Sequence, residues 1–300
     1  MKKKYLLIIL IPIVIYIAVY IFLNVSYHLN KDTFIETYDI QGNKDGYVPQ
    51  GLTYSEKYNV ILQTSYNKKK DGMLYITDYE SGKLLKELEL KNNNSHVGGI
   101  ATNDDKVWIT SNYKIYEYNL DDIMNTENNY IESISVTDTY NRGDFCYYKD
   151  NTLWIGDYHH FFYLRAKDDL PLLLGYDIDD DIDYNKPRIV VSIPNMVQGM
   201  TMLDDNSIVF TKSFSNLMRS RVSIYSYELN KETSDYYEID GKKIPYYHID
   251  NKVLSKRVFL SPMAEGIFYK DNYVYILFEN SSDNYEFTYP KIKKIVKYKL

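Results

Sequence analysis

The stretch YVPQGLTY, residues 47–54, places a glycine between a polar residue and a short apolar run. The same arrangement recurs in HVGGIAT (96–102), MVQGMTM (196–202) and MAEGIFY (263–269). Each stretch leads into an apolar run, a turn rich in Asp and Asn, and a second apolar run. Asp and Asn tolerate the backbone of tight hairpin turns. Each unit is therefore predicted to be a β-hairpin entered at a glycine, and GDFCYYKDNTLWIGDY (143–158) adds a fifth unit.

Five reference glycines mark the same point of the five units: Gly51, Gly99, Gly143, Gly199 and Gly266. Their numbers differ by 48, 44, 56 and 67 on subtraction, which leaves room for two more strands after each hairpin. Four strands in a repeat of this length are typical of a β-propeller blade. The sequence predicts an all-β, five-bladed β-propeller over residues 30–300. The alternatives are a six-bladed propeller, with another blade in 159–197 or 214–262, and a β-sandwich with chance glycine spacing.

The fifth unit lacks one strand, because only KIVKYKL (294–300) follows its hairpin. A strand-like run, FIETYDI (34–40), precedes the first unit and belongs to no blade. We expect this N-terminal strand to complete the last blade, which would close the ring and remove exposed sheet edges.

Two long polar segments interrupt the repeats, at 166–187 and 230–252. Both exceed a hairpin turn in length and are predicted to be loops, a class of segment that often carries function. The third strand of the third unit is predicted at FFYLRA (161–166), ahead of the first loop.

The N-terminus, MKKKYLLIILIPIVIYIAVYIFLN, places three lysines before an uncharged run over 5–23. That length matches a membrane-spanning helix, and the lysines indicate its cytoplasmic end. Small residues that would mark a cleavage site do not follow the run. Residues 1–29 are therefore predicted to be an uncleaved signal anchor. The protein would be a single-pass protein of the cell membrane, with the C-terminal propeller extracytoplasmic.

Composition narrows the function classes. The 300 residues carry a net charge of −6, which argues against a general nucleic-acid binder. Cys146 is the only cysteine, so a disulfide scaffold is excluded, and its apolar neighbours indicate a buried hydrophobe. The 34 tyrosines favour strands and suit packing between blades, or stacking on sugars and peptides.

The residue before each reference glycine should reach the mouth of the central channel, where ligands of propellers usually bind. These residues are Gln50, Gly98, Arg142, Gln198 and Glu265. A second layer, next to the ends of the second strands, is predicted to consist of Ser65, Tyr66, His96, Ser111, Asn112, Asp157, His159, Lys212, Ser213, Glu279 and Asn280. Convergence of unlike polar groups is what a binding site requires, although solvation of the channel is the alternative.

The same residues leave the question of a metal open. Oxygen ligands would suit Ca²⁺, and the candidates are Glu265, Glu279, Asn280, Asn112 and Asp157. His96 and His159 would instead suit a transition metal. Arg142 and Lys212 instead favour an anionic or zwitterionic ligand without metal.

The repeated glycine entries, together with YVYILFEN (273–280), resemble the secreted bacterial β-propellers. That superfamily includes the gluconolactonase and strictosidine synthase-like group and the five-bladed glutamine cyclotransferase group. Gln50–Leu52 and Glu265–Gly266 resemble the Gln-Gly-Leu and Glu-Gly entries of the cyclotransferases, whose Trp-containing Glu-Gly segment is absent here. The lactonase resemblance implies a calcium site with Glu265 as its carboxylate.

Three functions remain open on the sequence alone. The leading hypothesis is binding of a polar small molecule, a peptide or an envelope saccharide at the channel mouth. The second is a hydrolase, lactonase or cyclotransferase that uses Glu265 as general acid/base with Arg142 beside it. The third is a protein-interaction scaffold. An enzyme requires Glu265 to be buried with a shifted pKa, whereas a scaffold predicts an exposed apolar patch.

Overall fold

The computed structural model describes residues 2–29, 33–69, 71–93, 96–160, 170–178, 182–229 and 232–300. Within these ranges the chain forms an N-terminal helix followed by strands that assemble into five sheets. The five sheets are the five blades of a propeller, so the all-β, five-bladed prediction is confirmed.

Helix α1 spans Lys2–Leu29 and contains Pro12. Its exposed apolar side chains are Ile8, Leu10, Ile11, Ile13, Val14, Ile15, Tyr16, Ile17, Tyr20, Ile21, Phe22 and Val25. The Tyr16 hydroxyl donates to the Phe287 carbonyl at 3.1 Å, and the Tyr20 ring lies 4.9 Å from that of Tyr289. Measured over the described residues, no helix is both long enough and apolar enough to cross a membrane.

The first strand after α1 is β1 (Phe34–Asp39), which belongs to the last blade. Blade one follows with β2 (Val48–Ser55), β3 (Val60–Tyr66), β4 (Gly72–Asp78) and β5 (Leu84–Lys91). Its four strands run antiparallel in chain order, as the repeat predicts.

Blade two begins with β6 (Gly99–Thr102), β7 (Lys106–Ser111) and β8 (Lys114–Asn119). The short helix α2 (Leu120–Asn125) and strands β9 (Tyr130–Glu132) and β10 (Ser135–Asp138) complete this part of the chain. Strand β10 is the outer strand of blade two, whereas β9 pairs in parallel with β5 and widens blade one.

Blade three contains β11 (Phe145–Lys149), β12 (Thr152–Gly156), β13 (Leu172–Asp177) and β14 (Ile189–Ser192). The predicted strand at 161–166 lies outside the described residues. The third strand of the blade is β13, which lies inside the segment 166–187. The prediction that this segment is a loop is therefore wrong. Leu173 and Leu174 are fully buried in β13, and this short apolar run stabilises a strand within a polar segment.

Blade four contains β15 (Val197–Met202), β16 (Ile208–Lys212), β17 (Ser220–Tyr225) and, as its outer strand, β20 (Leu254–Leu260). Between β17 and β20 the chain makes a hairpin of β18 (Tyr236–Ile239) and β19 (Lys242–His248). Strand β19 pairs in parallel with β14 of blade three. The prediction of a loop at 230–252 is therefore wrong, because Ile244 and Tyr247 are buried when the hairpin extends that blade.

Blade five contains β21 (Ala264–Lys270), β22 (Tyr273–Phe278) and β23 (Lys294–Lys299). Strand β1 pairs antiparallel with β23, with Phe34 opposite Tyr298 and Glu36 opposite Val296. The predicted closure by the N-terminal strand is thereby confirmed. Single 3-10 turns, Asn43–Asp45, Asn251–Val253, Glu279–Ser281 and Asp283–Tyr285, lie in the connections.

The reference glycines recur because adjacent inner strands approach each other too closely for a side chain. A Cβ on Gly266 would lie 2.5 Å from the backbone nitrogen of Leu52 in blade one. A Cβ on Gly99 would collide with the backbone of Cys146 in blade three. Gly143 differs, because its φ of +68° is the left-handed conformation that glycine adopts at little cost.

The residue before the glycine is turned toward the channel by a local irregularity. The ladder between first and second strands shifts register in blades one, four and five, and the shifts enclose Gln50, Gln198 and Glu265. A β-bulge of this kind redirects a side chain relative to the regular alternation of a strand.

The apolar core lies between the blades rather than at the channel. Four buried clusters are each shared by neighbouring blades. Cys146 is buried among them, its sulfur 3.7 Å from the Trp108 carbonyl, and burial raises its pKa to about 12. The interpretation of Cys146 as a buried hydrophobe is confirmed.

Replacement of Gly99 by alanine should destabilise the propeller strongly. The added methyl meets fixed backbone atoms of blade three, so we expect a loss of about 3 kcal/mol in the free energy of unfolding. Gly241→Ala is the control, because no atom lies within 4 Å of its Cβ position and only its φ of +74° adds about 1 kcal/mol of strain. Urea unfolding measures both, and equal midpoints would contradict the close-approach explanation.

Candidate functional site at the channel mouth

Two glutamates form the centre of the channel mouth. Glu265, on β21, is only 3% exposed, and its Oε1 accepts a hydrogen bond of 3.0 Å from Gln198 Nε2. Glu279 directly follows β22, and its Oε1 accepts a hydrogen bond of 2.6 Å from the Tyr285 hydroxyl. The two carboxyl groups are hydrogen-bonded to each other, and Gln50 also contacts Glu279.

The two glutamates titrate as a coupled pair, and both carboxyl groups resist ionisation. Burial, and then the negative charge of Glu279, raise the pKa of Glu265 well above its ordinary range. Burial also raises the pKa of Glu279, to about 6, and the hydrogen bonds from Tyr285, Glu265 and Gln50 keep it from rising further. Glu265 is therefore the group of the pair that gains most from holding a proton.

Tyrosine side chains surround this glutamate pair. Burial and then the charges of Glu279 and Glu265 raise the pKa of Tyr66 above its ordinary value. Burial, followed by the charge of Glu265, raises the pKa of Tyr158 to about 12. Both phenols thus stay protonated, and the Tyr158 hydroxyl donates to the Ser213 carbonyl at 3.4 Å. The His96 ring lies 4.4 Å from the Tyr66 ring, which extends the aromatic wall.

A second acidic group adjoins the glutamates at the entrance to blade three. Asp157 Oδ1 accepts from the Arg142 backbone N–H at 2.8 Å, and Asp144 Oδ2 accepts from the Tyr158 N–H at 2.8 Å. The Arg142 side chain is 58% exposed and reaches Asp144 with its Nε at 3.1 Å. Burial, and then the charge of Asp144, raise the pKa of Asp157 to about 7. This group therefore titrates near neutrality beside the mouth.

The structure brings several predicted site residues together. Gln50, Gln198, Glu265 and Glu279 form direct contacts at the centre, and the residues at its edge are His96, Arg142 and Asp157. His159 is half-buried on the chain leading into blade four, where its carbonyl accepts from the Met196 N–H at 2.9 Å.

Two predicted residues lie away from the glutamates. Asn112 is exposed in the tight turn between β7 and β8, with a φ of +50°. Lys212 is on the opposite face of β16 from Thr211, whose hydroxyl donates to the Glu265 carbonyl at 2.6 Å. The neighbouring charges of Lys212 are Arg221 and Arg257.

The sequence prediction missed three contributors. Asp144 and Tyr158 each follow a residue that the repeat does identify, so extending each repeat position by one residue would have found them. Tyr285 lies in the connection between β22 and β23, which has no counterpart in the other repeats. No pattern in the sequence therefore predicts its contact with Glu279.

This arrangement can bind a polar ligand and move a proton. It offers two buried, coupled carboxyl groups, two carboxamides and several phenols. In the described portion of the chain, no group of three or more His, Cys, Asp or Glu residues has the geometry to hold a metal ion.

Stability should fall as the pH rises through the range in which the glutamates ionise. An unfolded Glu titrates near pH 4.3, and both folded pKa values are raised, so the folded protein loses stability from about pH 4.5 through about 6 and above. Glu265→Gln should remove part of this loss and gain on the order of 1–2 kcal/mol at pH 8. Urea unfolding from pH 4 to 8 measures the free energy of unfolding of wild type and variant, and Glu127→Gln, at an exposed position, is the control. Parallel profiles for wild type and Glu265→Gln would contradict the assignment.

Comparisons with known proteins support the fold of this chain but do not assign the chain to a family. No family model and no curated protein matches the chain. Among solved structures, a glutaminyl cyclase from Myxococcus xanthus is similar over 89% of this chain and 97% of its own, with 10% identity and a TM-score of 0.50. A chain of a mitotic checkpoint complex is similar over 86% of this chain and 76% of its own, with 10% identity and a TM-score of 0.44. The predicted resemblance to the cyclotransferase-type propellers is confirmed at the level of the fold.

Proposed function

We propose that the channel mouth binds a polar small molecule or the end of a peptide and carries out acid–base chemistry on it. The observation that carries the proposal is the buried, hydrogen-bonded pair of Glu265 and Glu279. Purely structural carboxyl groups are seldom buried side by side, because ionising either one is costly. Catalytic groups are often arranged in this way, since it separates an acid from a base.

The two glutamates can assist both proton transfers of a group-transfer reaction. Ionised Glu279 accepts the proton of an attacking amine or water, while protonated Glu265 donates its proton to the leaving group. The two glutamates then still hold one proton between them, and their mutual hydrogen bond returns it to Glu265. Gln50 and Gln198 fix the carboxyl groups, and the rings of Tyr66 and Tyr158 border the space beside them.

One similar solved structure is that of a glutaminyl cyclase, which supports N-terminal glutamine peptides as the first substrates to test. In such a peptide the α-amine attacks the side-chain carboxamide. A new C–N bond closes a five-membered lactam, the old C–N bond breaks, and ammonia leaves with the proton that Glu265 provides. Lactones and saccharides are the alternative substrates.

Mass spectrometry of N-terminal glutamine peptides, lactones and sugars incubated with the protein tests the reaction. We expect one class to be turned over, with at least 100-fold lower rates in Glu265→Gln and Glu279→Gln, because general acid–base catalysis typically contributes factors of this size. Glu127→Gln is the control and should retain full activity. Turnover that persists in Glu265→Gln would contradict the proposal.

Binding without reaction is the coarser alternative, and a thermal-shift screen separates the two. The ligands are the same peptides, lactones and sugars, with Ca²⁺ as a further arm. A shift that disappears in Glu265→Gln, without any turnover, would indicate a binding protein. No shift and no turnover would favour the interaction scaffold.

We also propose that α1 attaches the protein to a membrane with the propeller extracytoplasmic. The lysines before the uncharged run of 5–23 support this, as do the exposed apolar side chains of the helix. Exposed apolar residues also flank the channel mouth next to α1: Leu217, Met218, Phe287 and Tyr289.

Membrane attachment predicts that the protein stays in the membrane pellet after washing with alkaline carbonate. The double variant Val14→Arg and Ile17→Arg should move it to the supernatant, because each arginine within an apolar span costs about 3 kcal/mol. Protease added to intact cells should degrade the propeller. Release of the wild type by carbonate would contradict the proposal.

A further inference from the structure

Three basic side chains share the face of blade four that is turned toward blade three. This basic cluster consists of Lys212 on β16, Arg221 on β17 and Arg257 on β20. Lys212 is directly opposite Arg221 in the ladder, and Arg257 is opposite Ser223, two residues further along β17. Side chains opposite each other, or two apart on one strand, lie on the same face of a sheet. Phe210 and Tyr225 of that face pack in the cluster shared with blade three.

Lys212 has no counter-charge in the described part of the chain. Its side chain is only 8% exposed, yet its ammonium group makes no hydrogen bond and no ion pair there. Arg221 likewise has no carboxylate partner among the described residues, and Arg257 donates only to the Asn251 side-chain oxygen, at 3.2 Å. Burial, and then the charges of Arg221 and Arg257, lower the pKa of Lys212 to about 7.

The cluster continues toward the channel-mouth side of the blade. The Arg219 guanidinium lies 4.4 Å from the ring centroid of Phe259, which is opposite Arg221 in the ladder. The same guanidinium lies 4.8 Å from the ring centroid of Phe22 in α1. The basic face therefore leads from the blade interior to the end of the apolar helix.

The buried ammonium of Lys212 lacks a counter-charge that a bound anion would supply, and half-buried Arg221 and exposed Arg257 flank it. A buried ammonium without a partner is destabilising, and two neighbouring guanidinium groups add repulsion. A lysine that is buried for structural reasons is usually paired with a carboxylate. The described neighbours of Lys212 include no carboxylate within pairing distance. A ligand with several oxygens could accept from all three groups at once, and guanidinium groups match tetrahedral oxyanions bidentately.

We propose that Lys212, Arg221 and Arg257 form a binding site for a phosphate-type oxyanion, separate from the glutamate pair at the channel mouth. The phosphate group would belong either to a soluble ester or to the headgroup of an anionic lipid. The proposal is independent of acid–base chemistry at Glu265.

Thermal unfolding of the 300-residue chain in non-ionic detergent, with and without inorganic phosphate, tests the site. Phosphate should raise the melting temperature of the wild type, and Lys212→Met should bind it at least tenfold more weakly. Without phosphate, Lys212→Met should melt higher than the wild type, because the variant removes an unpaired buried charge. A merely structural lysine would produce the opposite order.

Lys256→Met is the matched control. Lys256 precedes Arg257 on the same strand but faces the other way, with its ammonium 5.2 Å from the centroid of the Tyr298 ring. This variant should keep the phosphate response, whereas Arg257→Gln should weaken it. Equal responses of wild type and Lys212→Met to every anion offered would overturn the proposal.

Two further arms identify the source of the phosphate. Glycerol phosphate in solution represents a soluble ester. Detergent micelles doped with phosphatidylglycerol, compared with phosphatidylcholine, represent a lipid headgroup. Stabilisation of the wild type but not of Lys212→Met by glycerol phosphate assigns a soluble ligand, and the same pattern only with phosphatidylglycerol assigns a lipid. If neither probe nor inorganic phosphate stabilises the wild type, the site does not exist.

Discussion

The rest of the structure depends on backbone contact between adjacent inner strands. Where Gly266 meets Leu52 and where Gly99 meets Cys146, two main chains approach without any side chain between them. The ring of blades is correspondingly tight at its axis, and the larger side chains are displaced outward into the clusters between blades. The register shifts next to Gly51, Gly199 and Gly266 follow from the same crowding. They direct the polar side chain before the glycine toward the channel.

The channel mouth combines this rigidity with groups that are expensive to bury. Glu265 sits on a strand held on both sides by other blades, so it cannot turn away to reach water. Its neighbours compensate in part: Gln198 donates to it, and Tyr285 donates to Glu279. What remains uncompensated appears as raised pKa values for both glutamates. The fold thus favours the protonated form of a carboxyl group at a fixed place.

The sequence was sufficient for the parts of the fold that repeat. Glycine entries and Asp/Asn turns are local signals, and they predicted the hairpins, the number of blades and the closure by β1. The same logic placed Gln50, Gln198, Glu265 and Glu279 at the mouth, where the structure has them in contact. A repeat pattern does not predict, however, where an individual blade departs from the pattern. The hairpin of β18 and β19 comes from the chain of blade four but pairs with blade three, a choice made by burial of Ile244 and Tyr247. Lys212 occupies a repeat position whose side chain faces a neighbouring blade instead of the axis.

The pairing of β1 with β23 gives the propeller a mechanical property. Helix α1 precedes β1 in the chain order, so tension carried along the main chain from the helix reaches the β1–β23 ladder first. Detachment of β1 would leave β23 with an open hydrogen-bonding edge. The strand that closes the ring is thus also the strand that follows the helix, and a pull on the helix acts on the closure itself.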